Sequence, residues 1–113
     1  MQDCLFCKII KGEIPSDKVY ENEQVYAFRD INPQTPVHVL VIPKKHISSL
    51  SEADEAEDAE LAACLRAIQT ISMREGLKNG FRIVSNSGPD ACQSVPHLHF
   101  HILGGTKMGE RMA

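Results

Sequence analysis

His97-Leu98-His99-Phe100-His101-Ile102 alternates imidazole and apolar side chains at strict period two. That period belongs to a β-strand, in which successive side chains point to opposite faces. It predicts a strand over residues 97–103, closed by Gly104-Gly105. Leu98, Phe100 and Ile102 then face a core. Three of the chain's 5 His share the other face and line a cleft, with about 7 Å between successive residues of that face. The row admits three uses: a polar strand face, a catalytic metal centre that keeps one position for water, or a nucleophilic imidazole that attacks phosphorus. The loop before it, residues 86–95, carries Asn86, Ser87, Gly88, Gln93 and Ser94. Amide, hydroxyl and backbone N–H donors of this kind can surround an anionic oxygen without a full positive charge.

A chain of 113 residues is expected to form one domain, 1–113, with one core. At 42% hydrophobic residues and a net charge of -3 it has the composition of a folded protein rather than a disordered one. Lys+Arg number 12 against 15 Asp+Glu, which gives no basic field for a nucleic-acid backbone. Any phosphate handled here is a small one. No run approaches the ~20 apolar residues that span a bilayer, and the start, with Gln2 and Asp3, lacks the features of a secretory signal. The expected compartment is the cytoplasm, where 4 Cys read as thiols or metal ligands before they read as disulfides.

Leu5, Phe6, Ile9 and Ile10 at near-helical spacing, followed by Gly12, predict a short helix within residues 3–11. Alternation around Glu21-Asn22-Glu23 predicts a hairpin of residues 18–21 and 24–29. The β-branched run 37–42 between Pro36 and Pro43 reads as a well-covered strand. A long helix is expected to start near Ser51 as cap. It carries Leu61, Cys64, Leu65, Ile68, Ile71 and roughly Met73 on one stripe and ends at Gly76 or Asn79-Gly80. Residues 81–85 form another strand. Strands split by one central helix argue for an α+β fold with an antiparallel sheet.

Cys4-x-x-Cys7 lacks the βαβ setting of a redox motif. As half of a tetrahedral zinc site it needs two further ligands, of which His46 could be one. His38, mid-strand, is a structural residue or the group that orients another imidazole. Asp30, at the end of the hairpin, is a turn residue or a carboxylate for a ribose diol.

The segment Gln93-Ser94-Val95-Pro96-His97-Leu98-His99-Phe100-His101-Ile102-Leu103-Gly104-Gly105 resembles the signature of the histidine triad family, in the form of its Hint branch. The likeness extends to Phe6-Cys7-Lys8-Ile9-Ile10 with Glu13-Ile14-Pro15, to Ala27-Phe28-Arg29-Asp30-Ile31, and to Val41-Ile42-Pro43-Lys44-Lys45-His46-Ile47. It implies a five-stranded antiparallel sheet with one long and one short helix, paired into a homodimer whose sheets join. It implies cleavage of purine nucleoside phosphoramidates, with release of an amine and a nucleoside monophosphate of the AMP or GMP type.

By that resemblance His99 is the nucleophile. His101 and Ser94 contact the phosphate and the leaving group, and His38 lies behind His99 and fixes its tautomer. Asp30 holds the ribose, and Phe6, Ile9, Ile14, Phe28 and Ile31 surround the base. Asn86, Gln93 and the Cys92 backbone form the phosphate loop. Cys4, Cys7, His46 and His97 hold a structural zinc, and no organic cofactor is expected.

Two departures bear on the site. Ala91-Cys92 stands where the family usually carries Gly-Gly, and the tail from Met108 to Ala113 lacks the Trp-bearing ending of some relatives. A hydrolase of dinucleoside polyphosphates is the alternative enzyme, and a nucleotide-binding regulatory module with vestigial activity is the alternative from another class.

Overall fold

The β-branched run of the third strand becomes the middle of the molecule. The computed structural model describes residues 3–112. In chain order its elements are α1 (Leu5–Ile10), β1 (Lys18–Glu21), β2 (Val25–Arg29), β3 (Val37–Pro43), α2 (Asp58–Arg74), β4 (Phe81–Val84) and β5 (Phe100–Gly104). The strands form one five-stranded sheet in the order β1-β2-β3-β5-β4, and every neighbouring pair is antiparallel. This is the α+β architecture that the sequence predicts.

Period two divides the sheet into two packed faces. Val25, Ala27, Val39, Val41, Phe100 and Ile102 meet the α2 stripe of Cys64, Ala67, Ile68 and Ile71. Tyr26, Phe28, Leu40 and Ile42 meet α1 through Phe6, Cys7 and Ile9. Arg29 grips Glu75 with two bonds, Nη1 to Oε1 at 2.9 Å and Nη2 to Oε2 at 3.1 Å, tying the end of β2 to the end of α2.

Two expected boundaries move. The long helix does not begin at Ser51. Residues Leu50–Glu55 form a 3-10 turn capped by Ser49, whose hydroxyl accepts from the Ser51 N–H at 3.1 Å. α2 then starts afresh at Glu57, whose N–H donates to Glu60 Oε1 at 2.7 Å, half of a capping box. The acids around positions 52–60 therefore serve two successive helix starts. At the far end Gly76, at φ +74, supplies the left-handed residue that stops α2.

The last strand is also shorter than residues 97–103. It pairs with β3 only from Val41↔Phe100 to Val37↔Gly104. Two steps beyond, opposite Leu98, Pro43 has no N–H to give. The Leu98 N–H turns to Ile47 O at 2.6 Å and the His97 N–H to Val95 O at 2.8 Å. His97, at a bend, and His99 thus sit just ahead of the ladder, while Leu98 still packs with Phe100 and Ile102 against α2.

Candidate active site and metal centre

Three adjacent strands bring the site to one face of the sheet. Register places Phe28 opposite Leu40, and Leu40 opposite His101. Alternation then sets Asp30, His38 and His101 on the same side, the side that α1 covers. The expected cleft is consequently a covered one: His97 is 0% and His99 3% exposed, while His101 is half-buried. The cover is Phe6 of α1, whose ring centroid lies 5.1 Å from that of His99 with the planes at 89°.

Hydrogen bonds fix the tautomers. His99 Nδ1 lies 2.7 Å from the His97 carbonyl oxygen, which can only accept, so Nδ1 carries the proton and Nε2 keeps its lone pair. Among the described residues no buried side-chain nitrogen or oxygen lacks a partner. His99 Nε2 has none, so it reaches the surface.

A second chain of bonds sets His101. The Gln34 N–H donates to His38 Nδ1 at 3.0 Å, which leaves the His38 proton on Nε2. That Nε2–H lies 2.9 Å from His101 Nδ1 and 3.4 Å from Asp30 Oδ2. His101 Nδ1 must then accept, and its proton sits on Nε2 as a donor beside His99, 5.1 Å away by ring centroids. Burial first, with the neighbouring His99 and His38 rings, pushes the His101 imidazole down to about 4. Burial also pulls His38 below its ordinary range, partly offset by Asp30. Both rings are neutral donors at physiological pH. His38 is expected behind His99 and stands instead against His101, because strand register offers it that ring and the His97 carbonyl already occupies His99 Nδ1.

The loop before the histidines is built differently from its sequence reading. Gln93 spends its amide on the loop itself: Oε1 accepts from the Gly88 N–H at 2.8 Å, and Nε2 donates to Ser48 O at 2.7 Å and Val95 O at 3.0 Å. The Cys92 N–H donates to Pro89 O at 3.0 Å. Neither group is therefore a spare phosphate donor. The side-chain amide of Asn86, and both the N–H and the hydroxyl of exposed Ser94, make no hydrogen bond among the described residues. Cys92 is exposed at φ +58, the left-handed region. Glycine enters that region without strain, so the usual Gly-Gly suits this turn.

Beside the histidines a groove of about 290 Å³ is lined by Ile9, Pro15, Ser16, Asp17, Phe28, Arg29, Asp30 and Ile31. Ile31 stands 92% exposed at its rim. Phe6 and Ile14, also expected around a base, lie outside that lining and pack beneath it. Ser16, Asp17, Arg29 and the Gln34 N–H are the contributors that sequence reasoning missed. A backbone donor leaves no residue-type signal at all.

Cys4, Cys7, His46 and His97 converge as expected, all four ligand atoms lying within 4.8 Å of one another. His97 Nδ1 is 3.2 Å from Cys4 Sγ and 3.6 Å from Cys7 Sγ, and His46 Nδ1 is 3.4 Å from Cys7 Sγ. Tetrahedral zinc with ordinary Zn–S and Zn–N bonds sets S···N at about 3.6 Å, so the donor set fits. His97 Nε2 donates to Pro43 O at 2.8 Å, which leaves Nδ1 unprotonated for a metal, the usual orienting bond of a ligating histidine. Burial pushes His97 down to about 4 and raises the Cys7 thiol. A bound cation would reverse the second effect.

Comparison with known proteins agrees with this geometry. The HIT domain family model matches residues 11–108. A "14 kDa zinc-binding protein" of Zea mays is 50% identical over 106 residues, covering 92% of this chain and 83% of its own length. "Adenylylsulfatase HINT1" of Arabidopsis thaliana is 49% identical over 106 residues, 92% of this chain and 72% of its own. Among solved structures, a HIT family hydrolase from Clostridium thermocellum superposes with a TM-score of 0.96 at 44% identity, over 100% of this chain and 99% of that one. With the family model matching residues 11–108 and relatives at 44–50% identity covering nearly the whole chain, this chain belongs to the histidine triad (HIT) family, on the Hint side.

Proposed function

We propose that the protein is a nucleotide hydrolase that cleaves the P–N bond of purine nucleoside phosphoramidates through a nucleotidyl-histidine intermediate. The observation that carries this reading is the His99 ring. Its Nδ1–H is held by the His97 carbonyl and its bare Nε2 reaches the surface. Nε2 attacks the α-phosphorus, the P–N bond breaks, and the amine leaves with a solvent proton that the neutral Ser94 hydroxyl relays. His99 then carries the nucleotide as a cation whose Nδ1–H still donates to the His97 oxygen. Water next adds to phosphorus and gives up a proton to solvent, the P–Nε2 bond breaks to restore neutral His99, and nucleoside monophosphate departs. The His101 Nε2–H, the Asn86 amide and the Ser94 donors supply neutral hydrogen bonds to the phosphoryl oxygens.

The base lies in the groove between Ile9, Phe28 and Ile31, with Asp30 on the ribose diol. A carboxylate already accepting from the Asn32 N–H at 2.8 Å is set for that task. Phe6 and Ile14 support the groove from below, and Gln93 and Cys92 shape the phosphate loop. Cys4, Cys7, His46 and His97 hold zinc, which serves as a structural tether; two relatives are named zinc-binding proteins. The single-domain chain acts as a homodimer in the cytoplasm, where thiolate ligands stay reduced. The exposed Phe81 and Ile83 of edge strand β4 support such pairing.

The plant relative's name concerns an adenylyl group on sulfate. That fits a site selective for the nucleotide and tolerant of the leaving group. The test is mass spectrometry of protein quenched during turnover of an adenosine phosphoramidate. A nucleotidyl adduct on His99 is expected, and the His99→Ala protein should bind monophosphate yet form no adduct. Full turnover by that variant refutes the assignment. Faster cleavage of a dinucleoside polyphosphate in parallel assays replaces the substrate class.

A further inference from the structure

The metal-type cluster and the nucleophile share their supports. α1 is only 6 residues long, well below the ~12–15 that sustain a helix in water, so its attachments must hold it. Cys4 caps it, with Sγ accepting from the Cys7 N–H at 3.4 Å, and Cys7 lies on its first turn against His46 and His97. Between the two cysteines sits Phe6, buried against the His99 ring at 5.1 Å and the His97 ring at 5.9 Å. His97 is pinned at both nitrogens, Nδ1 among the sulfurs and Nε2 on Pro43 O, and its own carbonyl receives the His99 proton. Two supports on the His99 ring, Phe6 and the His97 carbonyl, hang from the four ligands, whereas the third, His101 at 5.1 Å between ring centroids, is held by His38 instead.

We propose that the Cys4, Cys7, His46 and His97 centre is the positioning device of His99: by locking α1 to His97 it seats Phe6 against the imidazole and holds the His97 carbonyl on Nδ1, which keeps Nε2 bare and aimed outward. Phe6 is then a positioning residue, which accounts for its absence from the groove lining. The metal takes no part in bond making. The clamp rests on the reading of His99 as nucleophile for its catalytic consequence, whereas its structural half stands apart from that reading.

The experiment is nitrogen-15 imidazole NMR on zinc-loaded wild type, chelator-treated wild type and zinc-loaded Phe6→Leu, together with single-turnover kinetics. The loaded wild type should show one His99 tautomer and a slowly exchanging Nδ1 proton. Removing the metal should mix the tautomers and speed that exchange at least about tenfold. It should also lower the single-turnover rate roughly 10- to 100-fold, with monophosphate affinity nearly unchanged. Phe6→Leu should reproduce part of this with its zinc retained. Ile10→Ala on the same helix should leave the His99 signal in place, which separates the clamp from general loosening of α1. An unaltered His99 tautomer and exchange rate in both the metal-free and the Phe6→Leu proteins overturns the proposal. Failure to find a His99 adduct in the loaded wild type sinks the catalytic reading instead, and mass spectrometry reports that independently of the NMR.

Discussion

His101 Nε2 donates only because two other groups force it to. The Gln34 N–H sets His38, and His38 sets His101. A His38→Gln protein keeps a polar side chain but loses the fixed proton on Nε2. Its kcat should fall roughly 10- to 100-fold while KM changes little, as steady-state kinetics on the phosphoramidate will show. Depression of His101 to about 4 also makes stability depend on pH. The unfolded chain, with its histidines near ~6.5, takes up a proton in the interval where the folded site refuses it. The His101 contribution is therefore fully present above about pH 6.5 and is lost as pH falls toward 4. Melting temperatures at pH 7 and pH 5 should differ less in His101→Gln than in wild type.

At the scale of elements, α2 owes its place to a buried stripe more than to its own ends. Ile71 is fully buried against the sheet, whereas Leu65 on the same helix is 60% exposed. Ile71→Ala leaves a cavity and should cost about 2–5 kcal/mol. Leu65→Ala should stay within about 0.5 kcal/mol in the isolated chain, and urea denaturation of both variants separates the two. Periodicity in the sequence picks out Cys64, Ile68 and Ile71 of that stripe, but it also counts Leu65 and Met73, which stand 60% and 75% exposed, and passes over buried Ala67. It misses the break before Glu57, because the acids on either side of it suit one helix start as well as two. It likewise carries the last strand too far, since alternation of side chains persists where the ladder has already ended. Only the backbone partners of His97 and Leu98 mark the true start at Phe100.

For the whole molecule, the metal-type cluster joins the first turn of the chain to the segments after β3 and before β5. Closing contacts so distant in sequence lets a bound ion contribute directly to folding. With free zinc at a hundredfold excess over Kd the stabilisation is about 2.7 kcal/mol. For a domain of this size that is roughly 10–20 °C of melting temperature. Chelation should remove it, and calorimetry with zinc restored should return it. A melting temperature unaffected by chelator would separate the cluster from the stability of the fold.

Much of this protein is already written in residue types at fixed spacing. The period of residues 97–102 puts its imidazoles on one side of a chain that enters the sheet at Phe100, and the Val-rich third segment dictates a buried strand. The C-x-x-C spacing sets Cys4 and Cys7 within one helical turn of each other. Those are local properties, set by backbone geometry a few residues at a time. Which imidazole meets which is not local. His38 pairs with His101 and not His99 because antiparallel register brings those two rings together, and Gln93 closes its own loop because Ser48 and Gly88 happen to lie within its reach. Register and packing arise from the sum of the core's contacts, so only the folded chain decides where each proton sits.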